Sequence, residues 1–292
     1  MPLHGTPRHP YLDHRLPIAF AHRGASGDHP ENTMPAFQAA VDLGYRYLET
    51  DVQATADGVL VAFHDDDLQR TCGVEGKISE LPWSEVQAAR VDGEEPIPLF
   101  DELIEAFPEA RFNIDCKSDA AAGPLTTALR RHRALERVCV GTFSHGRLTR
   151  LRRELGPGLC TSMSPWEVLR WRLGLVPRSV PVAQVPLGKG RFRSSPGGRS
   201  IAHRAGVQVH VWTVNEPEEM FRLLELGVDG IMTDRPAVLK QIMTSAASGS
   251  PDRETAFGRF GTVSGLGSTK RALSWSVGGG EARLGCAEVL GG

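Results

Sequence analysis

The stretch YRYLETDVQATADGVLVAFHDD, residues 45–66, sets two carboxylates into an apolar strand and returns with a histidine. A strand sends residues i and i+2 to one face, so Glu49 and Asp51 project together. Asp57-Gly58 is a strong two-residue hairpin signal, because both central positions of the tight turn need positive φ. That turn sets Asp51 opposite His64 and Glu49 opposite Asp66. Two carboxylates and an imidazole would then converge within one side-chain length. A lone Glu-x-Asp reads more plainly as a charged edge strand, and the remainder of the chain decides against that.

Working outward, short apolar runs alternate with helical patterns from residue 17 to about residue 240. Eight runs read as strands: IAFAH (18–22), YRYLETD (45–51), RFNIDCK (111–117), RVCVGTF (137–143), LCTSM (159–163), VAQVP (182–186), VQVHVWT (207–213) and DGIMTD (229–234). VLVAFHD (59–65) is the returning arm of the hairpin rather than a ninth strand. TMPAFQAAVDLG places Met34, Phe37 and Val41 on one helical face, with Asn32 or Thr33 as cap and Gly44 as stop. This alternation predicts an α/β fold, a TIM (β/α)8 barrel with a β-hairpin extension after strand 2 and a flexible C-terminal tail. A doubly wound open sheet is the alternative, but no G-x-G-x-x-G follows the first strand. The expected organisation is an N-terminal extension over 1–16, the barrel over 17–243, and a Gly/Ser-rich tail over 244–292. The tail holds eleven glycines and no sustained periodicity, so it carries no catalytic part.

The chain has 292 residues, 40% of them hydrophobic, and a net charge of −2. That balance gives no reason to expect a nucleic-acid partner. No run approaches the length of a membrane-spanning helix, and the first twenty residues lack an apolar signal core. A cytoplasmic location is the default. Five widely spaced cysteines make no disulfide framework and no thiolate zinc site. Oligomeric state is not legible.

Barrel enzymes carry their chemistry at the C-terminal ends of strands. Here those ends hold His22-Arg23, Glu49-x-Asp51, Asp115-x-Lys117, Thr142-Phe143, Trp212-Thr213 and Asp234. Clustered carboxylates repel and must be desolvated, a problem that a cation between them would resolve. Glu49, Asp51 and Asp115 are three hard oxygen donors, suited to one divalent cation, Mg²⁺ or Ca²⁺, rather than zinc. Lys117 offers a point charge for an anion, and Arg23 a planar fork suited to phosphate. His22 and His64 titrate near neutrality and could serve as general base and general acid. Together they suggest attack on a phosphodiester.

AHRGASGDHPENTMPAF, YLETDVQATADGVLVAFHDDDLQRT, IPLFDELIEAFPEARFNIDCK, AHRAGVQVHVWTVNEPEEM and LGVDGIMTDRP resemble the ordered blocks of the glycerophosphodiester phosphodiesterase family. The resemblance runs from about residue 18 to 240. It implies a metal-dependent barrel hydrolase that cuts glycerophosphodiesters to sn-glycerol 3-phosphate and an alcohol. It also implies Glu49, Asp51 and Asp115 as metal ligands, His22 and His64 as the acid–base pair, Arg23 and Lys117 on the phosphate, and Trp212 along the glycerol pocket. Asp115 departs from the family pattern, where Glu is frequent at that place.

A lysophospholipase D or phosphoinositide-type lipase on the same barrel is a related expectation. A barrel that binds phosphorylated ligands without catalysis is the alternative from another class. From Val168 to Asn215 the chain has eight Arg or Lys and no Asp or Glu. Its middle, 186–199, follows strand 6, and a solvated loop is favoured over a membrane contact. The neighbouring WEVLRWRLGLV reads as a barrel helix that packs through Trp166, Leu169 and Leu173, with a role at a membrane surface as the alternative.

Overall fold

The computed structural model describes residues 9–173, 175, 180–188, 202–203 and 205–247. Residues 189–199 of the basic segment and residues 248–292 lie outside them. The strands are β1 (Ile18–Ala21), β2 (Tyr47–Ala54), β3 (Leu60–Ala62), β4 (Arg90–Val91), β5 (Glu95–Pro96) and β6 (Arg111–Cys116). They continue with β7 (Val138–Gly141), β8 (Cys160–Thr161), β9 (Val182–Pro186), β10 (Gln208–Trp212) and β11 (Gly230–Thr233). The helices are α1 (Met34–Asp42), α2 (Gln69–Cys72), α3 (Trp83–Val86), α4 (Phe100–Ala106) and α5 (Asp119–Arg131). After these come α6 (His145–Leu155), α7 (Pro165–Arg172), α8 (Pro217–Glu225) and α9 (Pro236–Ala247).

Eight strands run parallel in the order β8-β7-β6-β2-β1-β11-β10-β9. A single parallel bridge between Ser162 and Val182 joins the two ends, so the sheet is a nearly closed barrel. All eight expected barrel strands are present. Every residue of β2 is buried, as parallel strands covered on both faces require. Outside the sheet, Phe37, Phe100, Phe112, Ile114, Leu125 and Leu129 pack strands against helices. Inside it, Phe20, Tyr47, Cys139, Cys160, Val182 and Met232 fill the barrel. Tyr11 and Leu12, which the sequence places in an extension, join that inner cluster. The Tyr47 hydroxyl donates to the Tyr11 carbonyl at 2.6 Å, and the two rings meet edge-on at 5.3 Å. Tyr47 and Ile18 begin their strands, so this packing closes the end of the barrel opposite the strand-end residues.

Two expectations need correcting. The hairpin pairs Val52 with Ala62, Gln53 with Val61 and Ala54 with Leu60, one residue away from the Asp57-Gly58 register. The loop spans 55–59 because Thr55 closes it. Its backbone N–H donates to the Val59 carbonyl at 3.0 Å, and its hydroxyl accepts from the Val59 N–H at 2.9 Å. Asp57 instead caps α3 through the Trp83 N–H at 3.0 Å. Phe63, not His64, donates to the Asp51 carbonyl, and Gln53, not Glu49, meets Asp66.

The second correction concerns α7, which turns Trp171 and half of Val168 inward and leaves Trp166, Leu169 and Leu173 exposed. Ser164 and Glu167 form a capping box at its start. Glu167 is also held by Arg152 at 2.6 Å, which fixes the helix's rotation. Apolar side chains lie on both faces, so periodicity alone gives no phase.

Candidate active site

His22 follows β1 and donates its N–H to the Thr233 carbonyl, so β1 and β11 together fix its Cα. Gly24, two residues on, has φ +82°, and a Cβ there would stand 2.6 Å from the Ala36 backbone. Only glycine lets the His-Arg-Gly turn lie this close to α1. Arg23 and Asn32 also hold positive φ, +55° and +56°, which is uncommon for side-chain-bearing residues and clusters at functional sites. Asn32 repays this through its amide, which donates to Asp51 at 3.1 Å and accepts from Thr50 at 2.8 Å.

The strand-end residues line one cavity of about 440 Å³. His22, Arg23, Glu49, Asp51, His64, Asp115 and Lys117 form its polar end, and Phe143, Met163, Val168, Val185 and Trp212 its apolar end. All eight sequence-predicted site residues therefore face one space. A larger cavity of about 560 Å³ lies on the other side of His22 and Arg23, but Lys117, His64 and Trp212 are not in its wall. The sequence-predicted site residues converge on the first.

His22 Nδ1 lies 2.6 Å from Asp234 Oδ1. Asp234 also accepts from Ser26 at 3.1 Å and from the Asn215 amide at 2.6 Å. Burial alone would raise the Asp234 carboxyl, but these partners outweigh it and bring it down to about 2. An ionised carboxylate only accepts, so the Nδ1 proton belongs to His22, and Nε2 is left to face the cavity. His64 repeats the pattern, with Nδ1 on Asp65. Burial opposes ionisation of Asp65, but Arg70 and His64 bring it to about 2. Both imidazoles thus present Nε2 to the same space.

The remaining charges are paired. The Arg23 guanidinium meets Glu31 at 2.9 Å and Asp51 at 3.2 Å, and the Arg23 backbone N–H donates to Glu49 at 3.0 Å. Glu31 is shared with Arg70, which also holds Asp65, so one ionic chain ties Arg23 to His64. Lys117 Nζ stands 3.2 Å from Asp115 and 3.4 Å from Asp51. Burial would lower its pKa, but Asp115 and Asp51 raise it, so it is a firm cation. Trp212 and Phe143 meet edge-on at 5.9 Å and wall the apolar end.

Burial, then Asp51, push the Glu49 carboxyl up to about 8. Burial raises Asp115 as well, and its Oδ1 is buried with no hydrogen-bond partner. Three hard oxygen donors, with Glu49 and Asp115 raised and one Asp115 oxygen orphaned, fit a divalent cation in kind. Among the described residues no three carboxylate, imidazole or thiolate groups stand at the spacing that would hold an ion. Lys117 supplies the positive charge between Asp51 and Asp115.

Sequence reasoning placed Asp234 at a strand end but gave it no role, read Asn32 only as an alternative to Thr33 for the cap of α1, where Thr33 is the cap, and passed over Glu31, Asp65 and Arg70. Asp234→Asn should lower turnover about a hundredfold or more with little change in KM, because the imidazole loses its tautomer and aim. The same carboxylate is depressed on folding, so its stabilisation is present above its ordinary value and lost as pH falls. Wild type should lose on the order of 1–2 kcal/mol between about pH 4 and pH 2 from this group, and the variant should not. Thermal melts across that window check the second point.

The sequence profile described as the glycerophosphoryl diester phosphodiesterase family matches residues 22–238. The chain is 38% identical over 251 residues to "Probable glycerophosphodiester phosphodiesterase 2" of Mycobacterium tuberculosis, covering 82% of this chain and 95% of that protein. It is 32% identical over 242 residues to a glycerophosphodiester phosphodiesterase of Caldanaerobacter subterraneus subsp. tengcongensis, covering 76% and 96%. Its fold is similar to that of an Oleispira antarctica phosphodiesterase solved in complex with the product sn-glycerol-3-phosphate. There the TM-score is 0.68 at 24% identity, over 79% of this chain and 98% of that one. With a profile matching residues 22–238 and relatives covered nearly end to end, the chain belongs to the glycerophosphoryl diester phosphodiesterase family and is a hydrolase of glycerophosphodiesters.

Proposed function

We propose that the enzyme cuts its diester on the alcohol side of phosphorus, giving sn-glycerol 3-phosphate and a free alcohol. The observation that carries this reading is the pair of imidazoles, each held at Nδ1 by a carboxylate, on one cavity with Arg23 and Lys117. The Oleispira antarctica neighbour, which holds sn-glycerol-3-phosphate, supports the choice of product.

In this reading His22 Nε2 takes the proton of the attacking hydroxyl, and His64 Nε2 gives its proton to the departing alcohol oxygen. The attacker is either the glycerol 2-hydroxyl, with water then opening a cyclic phosphate, or water directly. Lys117 and Arg23 hold the non-bridging oxygens, where negative charge builds in the transition state. Trp212 lines the glycerol end. Glu49, Asp51 and Asp115 would hold one divalent cation, Mg²⁺ or Ca²⁺, which when bound polarises the phosphoryl oxygens. The shorter reach of Asp115 than of a Glu bears on which metal fits.

Incubation with glycerophosphocholine tests the reading. Choline and sn-glycerol 3-phosphate should appear in equal amounts. Glycerol with phosphocholine would place the cleaved bond on the other side of phosphorus and overturn it.

A further inference from the structure

Arg147, in the first turn of α6, is not in the wall of the cavity that holds the histidines. Its side chain is nevertheless only 13% exposed, and it is spent on the strand ends beneath that cavity. One terminal nitrogen donates to the Cys116 and Lys117 carbonyls, each at 2.7 Å, and to the Thr142 hydroxyl at 3.0 Å. Its Nε meets Asp119, the first residue of α5, at 2.7 Å. The Ser144 hydroxyl caps α6 by accepting from the Arg147 N–H at 3.3 Å, which fixes where the side chain starts.

These contacts begin where the strand ladder stops. β6 pairs with β7 as far as Asp115 with Gly141, and with β2 as far as Cys116 with Val52. Beyond that ladder the Lys117 N–H donates to the Val52 carbonyl at 3.1 Å, and Arg147 takes the Lys117 carbonyl. Because the same guanidinium reaches Thr142, the two strand ends are tied to each other. Each carries a cavity side chain, Lys117 on one and Phe143 on the other, and the ammonium lies 5.9 Å from the centre of the Phe143 ring. A lysine stem is long and flexible, so its ammonium is aimed by whatever holds its backbone and its partners.

We propose that Arg147 is a positioning residue, which clamps the ends of β6 and β7 and so aims the Lys117 ammonium at the substrate phosphate. This rests on the role of Lys117 in the proposed function. Arginine suits the task, because its planar fork serves the carbonyls through one nitrogen and Asp119 through another. Asp115 lies inside the ladder and keeps its place without the clamp, whereas Lys117 lies outside it. A misplacement of about 1 Å can cost about a hundredfold in rate. If Arg147 only braced the fold, its loss would cost the same whatever side chain stood at position 117.

A double-mutant cycle separates the two, because Lys117→Ala removes the ammonium and leaves the backbone carbonyl that Arg147 holds. Arg147→Met, which keeps the stem and removes the fork, should lower kcat for glycerophosphocholine about ten- to a hundredfold. In the Lys117→Ala background the same change should cost less than about twofold in kcat. Its effect on melting temperature should instead be equal in both backgrounds, since the clamped carbonyls remain. Losses in kcat that multiply would make Arg147 a brace of the barrel and overturn the proposal. If Lys117→Ala turns over like wild type, its role at the phosphate fails and this inference with it. An impaired Lys117→Ala beside an unimpaired Arg147→Met overturns the inference alone. Should Arg147→Met not fold, Arg147→Lys takes its place in the cycle. It keeps the charge, but its single nitrogen cannot span the carbonyls and Asp119, and its loss in kcat should vanish in the Lys117→Ala background.

Discussion

Exhaustive chelation should reduce turnover of glycerophosphocholine by about a thousandfold or more, and Mg²⁺ or Ca²⁺ should restore it. A hard cation contributes several kcal/mol of charge stabilisation at a phosphoryl oxygen, and about 4 kcal/mol corresponds to a thousandfold in rate. The physical ground is the cost of the acid cluster. Glu49 is pushed to about 8 by burial and by Asp51, and Asp115 keeps a buried, unpartnered oxygen. Lys117 relieves Asp51 and Asp115, but it is also the ammonium best placed for the substrate. Asp115→Asn should weaken metal binding measured by calorimetry. Lys117→Ala should leave the metal in place and lower kcat. Full activity with no metal left by elemental analysis would mean that Lys117 and Arg23 alone neutralise the phosphate.

His22→Ala should lower kcat by about 10²- to 10⁴-fold, the usual worth of a positioned base. The loss should be similar whatever alcohol departs, because the base acts on the attacking oxygen. Its acidity is set by opposing influences: burial lowers the pKa, whereas Glu49 and the Asp234 bond raise it, and the raising influences win. A raised base is protonated at low pH, so activity should climb with pH through a value above that of a free histidine. A flat profile between about pH 5 and 8 would speak against His22 as the base.

Much of this was legible in the chain because barrel strands are short apolar runs with chemistry at one end. IAFAH, RFNIDCK and DGIMTD could be read as strands without knowing their neighbours. The parallel order then delivers His22, Asp115 and Asp234 to one mouth. What sequence could not give was anything settled by contact between distant segments. The Asp57-Gly58 signal was real, yet Thr55 closed a wider loop and Asp57 went to cap α3. In α7 both faces are apolar, and Arg152, from another helix, decides which one is buried. Asp234 lies 212 residues from the imidazole it orients, and nothing local announces the pairing. Its strand-end position in Thr-Asp-Arg-Pro was the available signal. Asn32 and the Glu31–Arg70–Asp65 chain are similar, since each acts on the site through another side chain.

The acid role of His64 is where the account is most exposed, and leaving-group dependence tests it. His64→Ala should be assayed on glycerophosphocholine and on bis(p-nitrophenyl) phosphate, whose leaving group departs without a proton. The account predicts a fall of about 10²- to 10⁴-fold in kcat/KM for the first and less than about tenfold for the second. Equal losses on both substrates, or none on either, would contradict it.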